Sequence, residues 1–156
     1  MMTLEELLIS RGEIDRIYCG VTSLYLWRAL LKTAETANPL YPDFEERVLP
    51  SGRRRAADVN MTMIKGILHV KAELGKGVSL FDVKGTFGDK KWDYFEIPKG
   101  TPIPSGLIIV KDGYNDVFNA THYSISPNKT MPKKAFCRLL DELARNAIIV
   151  KGGMNA

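Results

Sequence analysis

The sequence has few of the residues on which common catalytic and metal sites depend. It contains only two histidines, His69 and His122, and two cysteines, Cys19 and Cys137. Zinc sites need clustered Cys and His side chains, and these four residues show no such spacing. We therefore expect no metal site. Two cysteines so far apart in the chain also favour free thiols in a reducing compartment over a disulfide framework.

The familiar phosphate-binding and hydrolase motifs are also missing. The sequence has no Gly-rich loop ending in Lys-Ser or Lys-Thr, no G-x-G-x-x-G and no G-x-S-x-G elbow. No apolar run approaches the ~20 residues that span a bilayer, and the only apolar run near the N-terminus contains Glu5 and Glu6. We therefore expect a soluble protein without a membrane anchor, which would use a leaderless route if it is secreted.

Length and charge limit the possibilities further. The 156 residues fit one domain, residues 1–156, which can bury around 70% of its unfolded surface. The 22 Lys and Arg residues exceed the 18 Asp and Glu residues, for a net charge of +4. A basic balance favours an anionic partner, whether nucleic acid, a phosphorylated cofactor or an acidic protein. Charge alone does not choose among these three.

The run Thr121–Pro127 predicts a central β-strand, followed by a long amphipathic helix. Its residue types alternate, and its last residue cannot continue a hydrogen-bonded ladder. Thr130 is predicted to cap a helix of roughly 20 residues. The apolar residues at helical spacing are Ala135, Phe136, Leu139, Leu140, Leu143, Ala147 and Ile148. His122 and Tyr123 point to opposite faces of the strand, so only one of them can be buried against the helix.

The remaining segments predict a short first helix and several short strands. Thr3 and Glu6 form a capping box. Strands are predicted within residues 21–31, 61–70, 78–80, 94–98 and 107–110, with a loop over 38–58 and a turn at D-G-Y-N-D, residues 112–116. Gly75 and Gly77 permit close approach of the backbone to a ligand. Short strands framed by helices at both chain ends predict an α+β fold with a mainly antiparallel sheet.

Two groups of arginines have a structural and a functional interpretation. Arg28 is the only charge in L-Y-L-W-R-A-L-L, and such a charge needs a partner. It is either an edge-strand residue paired with a carboxylate or a ligand-binding group. Arg53, Arg54 and Arg55 form either a solvated basic turn or a site for phosphate or nucleic acid. The residues alone leave both choices open.

Several segments resemble a known toxin family. Arg28, Ser79 and the pair His122 and Tyr123 follow one another on three predicted strands, and this order resembles the three-strand signature of ADP-ribosyltransferases, whose residues line an NAD cleft. In detail, L-W-R-A-L, G-V-S-L-F-D, F-E-I-P-K-G-T-P-I-P, A-T-H-Y-S-I-S-P and L-D-E-L-A-R-N-A-I are similar to segments of the Tse-two family of type VI secretion effector toxins. The resemblance covers residues 23–151, and is weak over residues 38–76.

This resemblance implies an ADP-ribosyltransferase-like fold with a split, mainly antiparallel β-sheet core and flanking helices. It also implies NAD as cofactor and Arg28, Ser79 and His122 as catalytic residues. Arg28 would hold the phosphates of NAD, Ser79 its ribose, and Phe81 or Tyr123 would stack on nicotinamide. Val78 stands where the family has threonine. His122 would act where many transferases place a glutamate.

The resemblance further implies a cytotoxic effector that acts in the cytoplasm of a target cell. Transfer of ADP-ribose to a protein or nucleic-acid acceptor and its hydrolysis from NAD both remain open. A cognate immunity protein would neutralise the toxin, and an acidic one would be attracted to Lys129, Lys133 and Lys134. The alternative is a basic nucleic-acid-binding or nuclease toxin without NAD chemistry, which would use Arg53–Arg55.

Overall fold

The computed structural model describes residues 2–154. Two α-helices, eleven β-strands and one 3-10 turn follow the chain. In order they are α1 (Leu4–Ser10), the 3-10 turn (Ile14–Arg16), β1 (Ile17–Tyr18), β2 (Leu26–Leu31), β3 (Arg47–Val48), β4 (Arg54–Arg55), β5 (Met61–Ile64), β6 (Ile67–Val70), β7 (Val78–Phe81), β8 (Trp92–Ile97), β9 (Leu107–Asn115), β10 (Ala120–Pro127), β11 (Met131–Pro132) and α2 (Lys133–Met154). Neither helix combines the length and hydropathy needed to cross a membrane.

The main sheet has six strands in the order β1-β9-β10-β7-β2-β8, and every neighbouring pair is antiparallel. β10 lies inside the sheet between β9 and β7, which confirms the predicted central strand. A three-stranded sheet, β11-β6-β5, and the short hairpin β3-β4 complete the architecture. The α+β class and the mainly antiparallel sheet are confirmed.

The sheet opens between β2 and β7. Among the described residues, one register pair, Trp27 with Phe81, joins these two strands. By contrast, β2 and β8 pair over six residues from Leu26 to Leu31. Ala29 would face Ser79 if the antiparallel ladder continued, but no such pair forms. The two strands therefore diverge after Trp27 and leave a gap within the sheet.

Both faces of the sheet are covered by helices. The apolar stripe of α2 packs on one face, and its buried residues are Phe136, Leu140, Leu143, Ala144 and Ala147. Tyr123 and Ile125 of β10 belong to this core. On the other face, Ile108 and Val110 of β9 pack against Leu4 and Leu8 of α1. Ile148 was predicted in the stripe but is 60% exposed.

The start of α2 differs from the prediction because the residues after Thr130 pair with another strand and do not join the helix. Thr130 does not cap the helix, which begins three residues later at Lys133. Met131 and Pro132 instead pair with Val70 and His69 as β11. The Thr130 hydroxyl accepts a hydrogen bond from the Ala72 amide at 3.1 Å. At α1 the predicted N-cap residue is confirmed, since the Thr3 hydroxyl accepts from the Glu6 amide at 3.0 Å.

One strand prediction and one turn prediction also need correction. Residues 61–70 form a hairpin, because Lys65 and Gly66 adopt positive φ values of 50° and 76° and turn the chain. Residues 112–115 are not a turn. They extend β9, since Gly113, Tyr114 and Asn115 pair with β10. Cross-strand pairing thus outweighs the turn propensity of D-G-Y-N.

Gly77 serves the sheet and not a ligand. A Cβ atom at this position would lie 2.0 Å from the carbonyl oxygen of Ile125 on β10. The close approach predicted for this glycine is therefore real, but the neighbouring strand occupies the space. Gly75 has a φ of 76° and open space around it, so its glycine suits the turn before β7.

Candidate active site

The gap between β2 and β7 leads into a cleft formed by two adjoining cavities. The smaller, of about 280 Å³, is lined by Arg28, Ala29, Arg55, Ser79, Phe81, Phe87 and Trp92. The larger, of about 400 Å³, lies between the end of β2 and the segment that crosses above it, including Tyr41, Phe44 and Arg47. Arg28, Ala29, Arg55 and Trp92 line both cavities. The two cavities are therefore lobes of one cleft.

Arg28 lies at the junction of the two lobes and is only 8% exposed. Its Nη1 donates to the Ser79 carbonyl at 3.5 Å, and its Nη2 donates to the Tyr41 carbonyl at 3.4 Å. Its buried Nε has no hydrogen-bond partner. Burial lowers the pKa of Arg28, while the more distant carboxylates of Asp58 and Asp43 act to raise it.

The surroundings of Arg28 decide between its two interpretations. β2 is flanked on both sides by β7 and β8, so Arg28 is not on an edge strand. Within residues 2–154, no carboxylate forms an ion pair with its guanidinium. A buried guanidinium with two long hydrogen bonds and an unpaired donor is suited to bind an anion such as phosphate.

An aromatic wall borders the smaller lobe. The rings of Phe81 and Phe87 meet edge to face at 5.3 Å, and Phe87 lies 5.0 Å from Trp92 between centroids. The Tyr94 hydroxyl accepts from the Phe87 amide at 2.9 Å and donates to the Gly88 carbonyl at 2.6 Å. Tyr94 therefore fixes the loop that carries Phe87, and the lobe offers an aromatic, apolar surface beside the Arg28 charge.

His122 lies beside this wall and does not line the cleft. Its ring contacts Phe81 edge to face at 5.2 Å. Its Nδ1 is 2.8 Å from Asp112 Oδ2, and the Ser124 hydroxyl donates to the same oxygen at 2.6 Å. A proton on Nδ1 leaves Nε2 of a neutral imidazole as an acceptor. Asp112, on β9, thus supplies the carboxylate that β10 itself lacks.

Tyr123 is placed away from the cleft. It is 4% exposed in the core on the α2 face, and its ring meets Tyr18 edge to face at 5.6 Å. Burial is the main cause that raises its pKa to about 12. The structure therefore brings Arg28, Ser79 and Phe81 together, sets His122 in contact with Phe81, and separates Tyr123 from all of them. The roles of these residues remain predictions.

Sequence patterns alone missed Trp92, Phe87 and Asp112, and they left open whether Arg55 belongs to the site. Arg55 and Trp92 line both lobes, Phe87 builds the aromatic wall, and Asp112 binds His122. Arg55 belongs to the basic run Arg53–Arg55, which the sequence shows, but the sequence does not show that its side chain lies at the cleft. The structure also separates that run: Arg54 forms an ion pair with Glu46 at 3.0 Å, away from the cleft. No described group of three His, Cys, Asp or Glu side chains could hold a metal ion.

The sequence of the chain matches a known protein family over most of its length. A model of the Tse2 ADP-ribosyltransferase toxin family matches residues 6–151, which is nearly the whole chain. The chain belongs to this family. The match begins at Glu6, so the family likeness extends further toward the N-terminus than the resemblance over residues 23–151.

A curated relative agrees with this membership. The chain is 35% identical over 144 residues to a protein named Toxin Tse2 from Pseudomonas aeruginosa strain PAO1, and this covers 91% of the chain and 88% of the relative. The predicted enzyme class is thereby confirmed: the protein is an ADP-ribosyltransferase toxin of the Tse2 family. The cleft at the split of its sheet is accordingly the candidate active site.

Proposed function

We propose that the protein binds NAD in the cleft between β2 and β7 and transfers the ADP-ribose moiety to an acceptor in a target cell. NAD supplies the ADP-ribosyl group in this chemistry. The observation that carries the proposal is Arg28: a guanidinium that is 8% exposed, has an unpaired Nε and forms no ion pair within the described residues. A diphosphate supplies the charge and the acceptors that such a group needs.

The other cleft residues fit the rest of NAD. Arg55 lines both lobes and brings a second positive charge toward the diphosphate. Ser79 lines the smaller lobe, where its hydroxyl would hold a ribose. Phe81, Phe87 and Trp92 offer faces and edges for nicotinamide. Lobes of about 280 and 400 Å³ are each of a size that binds part of a large ligand.

His122 would act on the acceptor side of the site. Its Nδ1 is held by Asp112 at 2.8 Å, so Nε2 is free to accept a proton from an attacking hydroxyl or water. The acceptor is a protein or a nucleic acid, and water as acceptor would make the protein an NAD glycohydrolase. Tyr123 has no part in this proposal, because its ring is 4% exposed.

The proposed biological setting has three parts. The toxin acts in the cytoplasm, it is delivered as a type VI secretion effector, and a cognate acidic immunity protein neutralises it in the producer. Family membership supports this setting. The net charge of +4 supports an acidic partner.

The proposal is tested by supplying NAD labelled in its ADP-ribose moiety to the purified protein with target-cell lysate. We expect label in macromolecules and free nicotinamide in equal amounts, and digestion with protease or nuclease then identifies the acceptor class. Label in free ADP-ribose instead indicates hydrolysis. Ser79→Ala should reduce nicotinamide release, while the exposed Ser105→Ala should not. A folded, toxic preparation that neither releases nicotinamide nor incorporates label would overturn the proposal.

A further inference from the structure

One wall of the larger lobe is held by α2. Tyr41, Pro42, Asp43 and Phe44 line this lobe, yet they belong to no strand. They follow Asn38 in a segment that crosses above the end of β2. We call residues 38–44 the wall segment. Its position decides where the larger lobe ends, so whatever fixes it also shapes the cleft.

Asp141 fixes one end of the wall segment. Its Oδ1 accepts from the Tyr41 hydroxyl at 2.7 Å and from Asn38 Nδ2 at 2.9 Å. Hydrogen bonding to Asp141 is the main cause that raises the pKa of Tyr41 to about 12. The Asn38 Oδ1 in turn accepts from the Leu40 amide at 2.7 Å, and the Leu40 side chain is fully buried. One carboxylate oxygen of α2 therefore organises the first half of the segment.

The other end of the wall segment also rests on α2. The Lys133 ammonium lies 4.5 Å from the centroid of the Phe44 ring, and Phe44 meets Phe136 edge to face at 6.5 Å. These contacts hold the end of the wall segment at Phe44, which Asp141 does not contact. Loss of the Asp141 contacts should therefore loosen the part that includes Tyr41 without releasing the whole segment.

The same segment reaches Arg28. The Tyr41 carbonyl accepts from Arg28 Nη2 at 3.4 Å, and within the described chain the Ser79 carbonyl is the other oxygen that Arg28 contacts. A continuous path thus runs from Asp141 through the Tyr41 side chain to its carbonyl and on to the guanidinium. Arg28 has few other polar contacts, so this path has a large share in its orientation.

We propose that Asp141 is a positioning residue for the nucleotide site: through Tyr41 it sets the orientation of Arg28 and closes the larger lobe. This inference rests on the proposed NAD site. Asp141 itself lines neither lobe and contacts the cleft only through Tyr41, so its effect should appear in NAD binding more than in the chemical step. The orientation of a charged donor matters here because charge-assisted hydrogen bonds to phosphate depend on geometry.

The test compares four variants of the full chain, with Arg28→Met as a reference that lacks the phosphate contact. Equilibrium titration with NAD is followed through tryptophan fluorescence because Trp92 lines both lobes. Asp141→Ala should weaken NAD binding about 10-fold and raise KM with little change in kcat, since two hydrogen bonds are lost. Asp141→Asn should bind like the wild type, because both bonds use Oδ1, which Asn retains. Glu142→Ala, the exposed neighbour on α2, is the control and should leave binding unchanged.

Tyr41→Phe is the fourth variant and keeps the carbonyl that contacts Arg28. It should weaken binding by a smaller factor, about 3- to 5-fold. Combined with Asp141→Ala it should add little, since both changes break the same path. Amide hydrogen exchange should show faster exchange at Leu40 and Tyr41 in Asp141→Ala, which confirms that the wall segment has loosened.

The outcomes separate this inference from the proposed function. If the wild type binds NAD, Arg28→Met does not, and Asp141→Ala binds like the wild type despite faster exchange at Tyr41, the positioning role is wrong and the NAD site stands. Loss of binding in Asp141→Asn as well as in Asp141→Ala would also overturn it, because hydrogen-bond geometry would then not be the cause. A wild type that binds no NAD overturns the proposed function, and the positioning role with it.

Discussion

At the scale of single residues, the site depends on how differently three arginines are placed. Arg28 is buried at the junction of the lobes, and Arg55 lines both of them. Arg54 is adjacent in sequence to Arg55 but points away, with its side chain 77% exposed. Side-chain alternation along a two-residue strand is enough to separate their roles.

Arg55 and Arg54 therefore provide a matched pair. Arg55→Ala should weaken NAD binding by about 3- to 10-fold, a modest effect because the side chain is 44% exposed and lies 3.8 Å from Asp43. Arg54→Ala should leave NAD binding unchanged, because its partner Glu46 is outside the cleft. Isothermal titration of both variants measures this difference. Equal losses in the two variants would point to general charge attraction and not to a contact.

Tyr123 gives a prediction about pH. Its pKa is raised to about 12 in the folded protein from the ordinary value of 10.0, mainly by burial. The unfolded chain therefore loses this proton first, so the stabilising contribution is present below pH 10 and is lost as pH rises to about 12. Denaturant titrations across this window should show a shallower alkaline loss of stability in Tyr123→Phe than in the wild type. An identical slope would mean that Tyr123 ionises without penalty in the fold.

At the scale of elements, local patterns predicted the central strand and the last helix because their apolar residues recur with the correct period. The alternation of His122 and Tyr123 was also predictable, and the structure agrees: Tyr123 is buried in the core and His122 lies on the other face. Once α2 is placed on one face, that alternation removes Tyr123 from the opposite face. The suggestion that Tyr123 stacks on nicotinamide overlooked this consequence of the strand's alternation.

Long-range features could not be read from the sequence. The start of α2 depends on the pairing of Met131 with Val70, and β9 extends through Gly113 because β10 lies beside it. The lobes combine Trp92 and Arg55, which are distant in the chain and carry no shared motif. These features are set by which strands become neighbours in the fold, and local propensity contains no information about that.

A substitution at Gly77 tests how closely β7 and β10 must pack beside the gap in the sheet. Gly77→Ala places a Cβ atom 2.0 Å from the Ile125 carbonyl, so β7 and β10 must move apart, at a cost of about 2 kcal/mol or more in unfolding free energy. Gly113→Ala on β9 is the control, because nothing lies within 4 Å of its Cβ position. Urea denaturation measures both. A Gly77→Ala protein as stable as the wild type would show that β7 can shift without loss.

At the scale of the whole molecule, positive charge collects at the start of α2. Lys133 lies in the first turn of α2 and Lys134 follows it, although the positive end of a helix dipole disfavours cations by a few tenths of a kcal/mol each. The Lys133 ammonium forms a cation–π contact with Phe44, whereas Lys129 and Lys134 are exposed. An acidic immunity protein docking on this rim would relieve the unfavourable charges.

The immunity complex is predicted to associate more slowly as salt increases. Changing Lys129 and Lys134 to Glu should lower the association rate about 10-fold or more at low salt and remove most of its salt dependence. Stopped-flow mixing at several ionic strengths measures this. The exposed Arg11 and Lys90, changed together to Glu, provide a control with the same change in net charge. An unchanged on-rate in the Lys variant would exclude this surface from the interface.

The central claim is that a buried, unpaired guanidinium at the split of the sheet binds the phosphates of NAD, and Arg28→Met tests it most directly. Methionine fills similar space without the charge, and such replacements of buried charges are often neutral or stabilising. Arg138→Met, at an exposed arginine of α2, is the matched control. Equilibrium NAD binding and unfolding free energy are measured on the same preparations.

We predict that Arg28→Met loses about 10- to 100-fold in NAD affinity, from a charge-assisted contact of ~1.5–3 kcal/mol, while its unfolding free energy stays within about 1 kcal/mol of the wild type or rises. Arg138→Met should match the wild type in both. If Arg28→Met bound NAD like the wild type while the protein remained folded, Arg28 would not be the phosphate-binding residue and the account would be contradicted.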